Sequence, residues 1–301
     1  MTQRPVRLDA AAGGAGGSWY VLLEGLARLV REVHPGIELR VVEGGGVMNH
    51  ADVGTGRIPV AILNPPMTVA ARAGRPPFEL ALPDLRVGIT NLTMNHLQFM
   101  IDRGLPLDTL SDWAARRHPL RVPVDRVGTV DRLVFEMALE AVGLTPAELQ
   151  NWGGALIPAD NYHQQVALYR EGKVDALWQF MGIPSPSIQE AHAARPIKPA
   201  ALPPGLIGRL TKLGWSAAEL PVGAYGVVAT PVPTVSMGTS LGFHASVPAA
   251  VVHAVVAAIC DHPERVRAIH PAAASFDPAC AHLDAGGPLH EGAARYFGVK
   301  P

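Results

Sequence analysis

The first part of the chain alternates between two patterns of apolar and polar positions. Val6–Ala11 is a short apolar strand, Ile37–Val42 shows the two-residue alternation of a half-buried strand, and Ile58–Leu63 is a third apolar run. Apolar residues at helical spacing predict a helix over residues 18–34, namely Leu22, Leu23, Leu26, Leu29, Val30 and Val33. Strands that alternate with helices predict an α/β fold with a parallel, doubly wound sheet, whose ligands bind at the carboxyl ends of the strands.

A second series of strands and helices follows a β-rich passage over Leu85–Ile101. Its strands are predicted at Leu120–Val124, Ala155–Ile157 and Val174–Phe180. Its helices are predicted after a loop over residues 125–132, at Tyr162–Glu171 and from Pro184-Ser185-Pro186. The chain returns through β-rich segments over Val222–Ala229 and Thr234–His244, a helix that Pro248 opens, and a last short helix over residues 287–298.

Two series of this kind predict two doubly wound lobes, the first of them discontinuous. We expect a first lobe of residues 1–94 plus 226–301 and a second lobe of residues 95–225. A ligand between two such lobes would meet helix N-termini from both, so the pattern predicts a hinged cleft.

The turn after the first strand is rich in glycine over residues 13–17 and leads directly into Ser18-Trp19-Tyr20 of the predicted helix. Such a turn presents unpaired N–H groups and a partial positive charge, which suit a carboxylate or a phosphate. Trp19 occupies the place of the third glycine in the dinucleotide-binding pattern G-x-G-x-x-G, so that fingerprint is absent. Trp19 and Tyr20 can wall a small pocket, and a merely flexible turn is the alternative.

Polar residues also stand at the ends of other predicted strands. Asn49 follows the turn Gly44-Gly45-Gly46, begins a short predicted helix, and either caps that helix or faces a ligand. Asn64 ends the third strand, and Pro65-Pro66 then opens a helix. Gln179 is a contact candidate at the end of a later strand, whereas its neighbour Trp178 is a core residue.

Motifs for catalysis or metal binding are weak. Residues 238–242 match the hydrolase pattern G-x-S-x-G, but they lie in a β-rich stretch without the immediate helix that this motif requires. Cys260 and Cys280 each precede a histidine by two residues, and this spacing is not that of zinc ligands. We therefore expect no metal, no cofactor and no catalytic residues, and binding is favoured over catalysis.

Composition restricts the partners. The 301 residues carry a net charge of −1 and 17% charged residues, without a basic block, so neither nucleic acid nor a membrane surface is an expected partner. The longest apolar run, near Ala254–Cys260, is too short to span a bilayer, so no direct membrane insertion is expected. Residues 1–12 show no signal peptide, so either the chain is cytoplasmic or it is a mature secreted form.

Taken in order, several segments resemble the substrate-binding subunits of TAXI-type tripartite ATP-independent periplasmic (TRAP) transporters. Gly16-Gly17-Ser18-Trp19-Tyr20 matches a G-G-x-Y-Y-like signature, and Gly44-Gly45-Gly46-Val47-Met48-Asn49 matches T-G-G-S-x-x-N. Gly172-Lys173-Val174-Asp175-Ala176 resembles the G-x-x-D-A segment of that family, with Gly182 downstream. The closing segments Ile269-His270-Pro271 and 288–293 are also similar to the family's C-terminal sequence.

The resemblance implies a type II periplasmic-binding-protein fold with two lobes around a hinged cleft. It implies a periplasmic protein, not an enzyme, that captures a small organic anion such as an amino acid or a dicarboxylate and delivers it to a membrane permease. The ligand-binding residues that it implies are Gly16, Gly17, Ser18, Trp19, Tyr20, Gly46, Asn49, Asn64, Thr129, Val130, Asp131, Arg132 and Gln179. A cytoplasmic small-molecule sensor or an enzyme on the same fold is the alternative.

Two departures from the family pattern affect the expected ligand. Thr129-Val130-Asp131 replaces the usual Ser-Gly-Thr, and Asp131 would repel a ligand carboxylate unless Arg126 or Arg132 offsets its charge. Pro65-Pro66 replaces polar residues after Asn64. A ligand with a cationic or hydroxyl group facing Asp131 is therefore one hypothesis, and a helix-capping Asp131 is the other.

Overall fold

The computed structural model describes residues 5–15 and 17–300. In chain order the strands are β1 (Val6–Ala11), β2 (Ile37–Val42), β3 (Val60–Leu63), β4 (Leu85–Ile89), β5 (Met94–Asp102), β6 (Arg121–Val124), β7 (Ala155–Pro158), β8 (Ala176–Met181), β9 (Ile197–Pro199), β10 (Ser216–Leu220), β11 (Val232–Gly238) and β12 (Ser240–His244). The helices are α1 (Ser18–Val33), α2 (Gly46–Gly54), α3 (Pro65–Ala73), α4 (Leu110–Ala115), α5 (Val130–Ala141), α6 (Pro146–Asn151), α7 (Tyr162–Arg170), α8 (Pro186–Ala194), α9 (Pro204–Lys212), α10 (Ala249–Cys260), α11 (Pro263–Arg267) and α12 (Glu291–Phe297).

The chain divides into two compact units. Unit 1 comprises Met1–Met94 and Met237–Pro301, and unit 2 comprises Asn95–Ser236. The sequence pattern placed the return to the first lobe at residue 226, whereas the structure places it after Ser236. The reason is that β11 extends the sheet of unit 2, where it lies between β10 and β5.

Unit 1 is built on one five-stranded sheet in the order β2-β1-β3-β12-β4. β1 runs parallel to β2 and to β3, whereas β12 is antiparallel to β3 and β4. The apolar face of α1 and the valine-rich α10 supply much of the core, including Leu22, Leu23, Leu26, Val30, Val252, Val255, Val256 and Ile259. The parallel strands place three strand ends, and the helices that follow them, at one edge of this sheet.

Unit 2 contains a sheet in the order β10-β11-β5-β8, with β9 paired to β5, and a parallel pair, β6 and β7. Trp178 lies in its core, where its ring centroid is 5.4 Å from that of Phe99 and 5.2 Å from that of Phe135. A second apolar cluster joins β8 to α7 and α8 through Val166, Tyr169, Leu177 and Ile188. Trp178 is therefore a core residue, as predicted.

Three sequence expectations about elements are wrong. Helix α2 begins at Gly46, not at Asn49. Helix α5 begins at Val130, because Thr129 Oγ1 accepts the N–H of Arg132 and caps the helix there; residues 130–132 are its first turn and not a loop. Residues 222–229 are not β-structure, because Gly223 has a left-handed φ of 83° and a 3-10 turn follows it. The strand of that region is β10, which precedes it.

None of the helices within residues 5–15 and 17–300 combines the length and the apolar character that crossing a bilayer requires.

Candidate functional site

The carboxyl ends of β1, β2 and β3 meet at one edge of the unit 1 sheet, and each end leads within a few residues into a helix. We call this edge, made of residues 12–15, 17–20, 43–50 and 62–68, the junction edge. It contains every candidate residue of unit 1 except Gly16, which lies outside the described residues. The three elements therefore bring the sequence-predicted residues of unit 1 together.

Two of the three helices at the junction edge begin without a side-chain cap. Glycine occupies the N-cap position of both, Gly17 before α1 and Gly45 before α2, and neither first turn contains an acidic residue. The first N–H groups of a helix have no acceptor within the helix, and the helix dipole adds a partial positive charge. These two starts consequently favour a negatively charged group.

The third helix begins differently. Pro65 and Pro66 have no N–H to offer, and Asn64 Oδ1 accepts the N–H of Met67 at 3.1 Å. Asn64 is fully buried, and its Nδ2 has no hydrogen-bond partner within the described part of the chain. Since the oxygen of this amide is committed, its NH₂ group is an unused hydrogen-bond donor buried at the junction edge.

Asn49 connects all three junctions. The side chain is fully buried; Nδ2 donates to the carbonyls of Ala12 and Ile62, both at 2.8 Å, and Oδ1 accepts the N–H of Gly45 at 2.9 Å. Asn49 lies one turn inside α2, so it is not the N-cap residue of that helix. All of these contacts are made within unit 1, and a direct ligand contact by Asn49 stays a prediction.

His50 is a residue that the sequence reasoning missed. Its Nδ1 lies 2.6 Å from the Gly46 carbonyl and therefore carries the proton, which leaves Nε2 to accept from the Asn64 N–H at 3.4 Å. Nε2 also lies 3.2 Å from both the Asn64 carbonyl oxygen and the Thr68 hydroxyl, and that hydroxyl donates to the Asn64 carbonyl at 3.0 Å. Complete burial lowers the pKa of His50 to about 4, so the ring is neutral at pH 7. Its signal in the sequence was weak: one more polar residue beside Asn49.

The aromatic pair at the start of α1 is half-buried. Trp19 and Tyr20 both pack against the apolar core of unit 1. This packing does not test whether the two rings also line a ligand pocket, and that role stays a prediction.

The candidates around α5 in unit 2 make contacts within that unit. Thr129 caps the helix, Val130 is buried, and Arg132 forms an ion pair with Glu136 at 2.6 Å. A ligand contact by these three residues stays a prediction. The hydroxyl oxygen of Thr129 already accepts the N–H of Arg132.

Asp131 braces the end of β8. Its Oδ1 accepts the Tyr162 hydroxyl at 2.6 Å and the Phe180 N–H at 3.0 Å, so a carboxylate and not a neighbouring strand satisfies this N–H of β8. Burial, followed by the negative charge of Asp125, raises the pKa of Asp131 to about 7. Burial also raises the pKa of Asp125, to about 6. Tyr162 was not among the predicted site residues.

Gln179 is fully buried in a chain of polar side chains. Its Oε1 accepts the Ser187 hydroxyl at 2.6 Å, and its Nε2 lies 3.4 Å from Gln165 Oε1. The hydroxyls of Ser185 and Ser187 are 2.8 Å apart and continue the chain. In this structure Gln179 thus links β8 to α7 and α8, and its contact with a ligand stays a prediction.

The serine of the G-x-S-x-G match is not a nucleophile. Ser240 lies in β12, is buried, and donates to the Thr90 hydroxyl at 3.0 Å. The next helix, α10, begins only at Ala249, so the strand–turn–helix geometry of a nucleophile elbow is missing, as predicted.

Comparisons with known proteins agree with this architecture. A family model described as the NMT1-like family matches residues 10–298. No curated protein matches the chain significantly. Similar solved structures include MatC from Rhodopseudomonas palustris with bound malate, with 16% identity, 89% of both chains covered and a TM-score of 0.56. A TctC solute-binding protein from Polaromonas, without ligand, has 16% identity, covers 89% of this chain and 88% of its own, and has a TM-score of 0.53.

A third similar structure is the R. palustris protein Rpa4515 with adipate, with 16% identity, 88% and 84% of the two chains covered and a TM-score of 0.50. At this level of identity the likeness concerns the fold. The predicted α/β fold of a two-lobed periplasmic binding protein is thereby confirmed.

Proposed function

Because the chain belongs to the NMT1-like family, we propose that it is an extracytoplasmic solute-binding protein that captures a small organic anion and delivers it to a membrane permease. The ligand is an amino acid, a dicarboxylate or a related organic acid. The permease recognises the ligand-bound form. In this proposal the protein transforms no substrate and uses no cofactor.

One observation carries the proposal. At the junction edge, α1 and α2 start without side-chain caps and without acidic residues, and the buried NH₂ group of Asn64 has no partner within the described residues. Helix starts and an amide donor at one sheet edge favour a carboxylate over a cation or a neutral molecule. The malate of MatC and the adipate of Rpa4515 are ligands of this class in proteins of the same fold.

The finer assignment is to TAXI-type receptors of TRAP transporters, with a periplasmic location. It is supported by the order of the motifs Gly16-Gly17-Ser18-Trp19-Tyr20 and 44–49, whereas one similar structure is named TctC, after another class of solute-binding protein. Uptake by cells that express the protein with a TRAP permease, compared with a TctC-partner permease, decides between the two.

The contribution of unit 2 to specificity is a further part of the proposal. Asp131 favours a ligand that carries a hydroxyl or ammonium group, since its carboxyl oxygens accept from such donors and its ionised form, populated as the pH rises through about 7, repels a second carboxylate. An Asp131→Ala protein that keeps full affinity for its ligand would exclude this contact. Because Asp131 also braces β8, Asp131→Asn, which retains an acceptor oxygen, is the matched variant.

The first experiment is native mass spectrometry of the purified protein, followed by a thermal-shift screen of malate, succinate, adipate, glutamate and aromatic acids. A ligand at a hundredfold excess over Kd stabilises the folded state by about 2.7 kcal/mol. A saturable shift with an unchanged ligand mass supports the receptor. Absence of a shift across the acids, or recovery of a chemically altered ligand, favours a sensor or an enzyme instead.

A charge substitution tests the location of the site. Asn64→Asp keeps the oxygen that caps α3 and replaces the donor by a carboxylate oxygen, so we expect at least a tenfold loss of anion affinity. Asn151→Asp adds the same charge at an exposed position in unit 2 and serves as the control. Equal affinities in the two variants would place the anion elsewhere.

A further inference from the structure

Two neighbouring residues of α2 reach all three strand–helix junctions of unit 1. Asn49 contacts Ala12 after β1, Gly45 after β2 and Ile62 in β3. His50 contacts Gly46 at the start of α2 and Asn64 at the start of α3.

We propose that Asn49 and His50 are positioning residues that fix the starts of α1, α2 and α3 relative to one another, so that the junction edge binds an anion as one preformed site. This inference rests on the proposed function, because it assigns the junction edge to an anionic ligand. Asn49 and His50 act through their contacts with other residues of unit 1 and need not contact the ligand.

The close approach of the segments shows how specific this connection is. A Cβ atom added at Gly44 would overlap Asn49 Oδ1 and would lie 2.9 Å from the Ala12 carbonyl oxygen. At Gly45, by contrast, an added Cβ meets no atom within 4 Å. The glycine at position 44 is thus required by the Asn49 side chain, whereas the neighbouring glycine is not.

The His50 connection consists of hydrogen bonds between neutral groups. Around the ring lie the Gly46 and Asn64 backbones, the Thr68 hydroxyl and the Phe78 ring, whose centroid is 6.1 Å away. The only influences on its pKa are burial and the two backbone contacts, so no charged side chain of the described residues takes part. Protonation would remove the acceptor at Nε2, but the protonated ring can donate to the Asn64 carbonyl oxygen, which lies 3.2 Å from the same nitrogen.

Such a connection matters because an anion held by two helix starts requires both to be aimed at the same point. A binding site has to be held to within about 0.5 Å by residues that packing and hydrogen bonds have already fixed. If the junctions moved independently, part of the binding free energy would be spent on ordering them.

Two substitutions of His50 separate its local contact from its contact between junctions. In His50→Asn the amide nitrogen can take the place of Nδ1 and bind the Gly46 carbonyl, but the side chain is too short to reach Asn64. In His50→Gln the longer side chain can reach the Asn64 N–H and restore the second contact. Val53→Ala shortens a fully buried side chain on the same helix and provides a control for stability loss alone.

Amide hydrogen exchange followed by NMR measures the effect without a ligand. The probes are the N–H groups of Ala12 and Gly44, which bind Val42 and Gly13 and do not contact His50. We expect at least tenfold faster exchange at both in His50→Asn and a change below threefold in His50→Gln. Unchanged rates in His50→Asn, or equal rises in Val53→Ala, would overturn the proposal.

Calorimetric titration with L-malate and adipate is the second measurement. We expect His50→Asn and Asn49→Ala to lose at least tenfold in affinity, and His50→Gln and Val53→Ala to stay within threefold of the wild type. If the wild type binds neither acid, the proposed ligand class fails, and the exchange rates alone decide the role of His50.

Discussion

Replacement of His50 by glutamine should remove one acid-sensitive contribution to the stability of unit 1. The folded-state pKa of His50 is about 4, well below the value of 6.5 for an unfolded histidine. A depressed histidine pKa means that the unfolded chain binds the proton more readily. The contribution is therefore complete above pH 6.5 and is lost as the pH falls through 6.5 towards 4.

The magnitude follows from the two pKa values. Each pH unit within this window changes the free energy of unfolding by about 1.4 kcal/mol. Between pH 7.5 and pH 5 the wild type should lose about 2 kcal/mol through His50 alone. His50→Gln cannot titrate there. At pH 7.5 it should be the less stable protein, by about 1 kcal/mol per lost hydrogen bond, and the difference should shrink or reverse at pH 5.

Urea unfolding, followed by circular dichroism at pH 7.5 and pH 5, measures this difference. The other titrating groups are the same in both proteins and cancel in the comparison, provided that the two proteins unfold in the same number of transitions. Parallel pH dependences in the wild type and His50→Gln would refute the reasoning, because they would mean that His50 is not buried as a neutral ring.

Three further predictions concern other parts of the chain. Gly44→Ala should lower the free energy of unfolding by about 2 kcal/mol or more in urea titrations, since its Cβ overlaps Asn49, while the control Gly45→Ala should change it by less than about 1 kcal/mol; equal losses would contradict the close approach. Asp131→Asn should gain stability over the wild type as the pH rises from 5 to 8, by about 2.5 kcal/mol, because ionisation of Asp131 opposes folding from pH 3.8 through its folded-state pKa of about 7; a constant difference would contradict this. Burial raises the pKa of Cys260 to about 12 and Cys280 is exposed, so a thiol reagent should label one cysteine in the native protein and two in urea, and rapid native labelling of both would contradict this burial.

The elements of unit 1 could be predicted because their signals are local. The apolar spacing of α1, the alternation of β2 and the sequence Asn64-Pro65-Pro66 each specify a structure within a few residues. The segment 222–229 could not be predicted, because its apolar residues suggest a strand while Gly223 and Tyr225 adopt positive φ values of 83° and 55°. Those conformations depend on contacts elsewhere in unit 2, such as the bond of the Tyr225 hydroxyl to Gln98 at 2.6 Å.

The candidate site also contains some features that could be predicted from the sequence and others that could not. The glycines before α1 and α2 could be found, because an absence of side chains at a helix start is visible in the sequence. The connections made by Asn49 and His50 could not be found, since they join residues that only the parallel sheet brings together. Asp131 was noticed for its charge, but its bond to Tyr162 depends on the folded arrangement of β8 and α7.

The position of β12 in the unit 1 sheet has a consequence for synthesis on the ribosome. β12 lies between β3 and β4, yet it is translated only after all of Asn95–Ser236. Until residue 244 emerges, the growing chain holds two separate pieces of this sheet, β2-β1-β3 and β4. Unit 2, with its own apolar cluster, is complete by then. The part of the protein that is made first therefore finishes folding last. The apolar edges of β3 and β4 stay unpaired while the whole of unit 2 is synthesised.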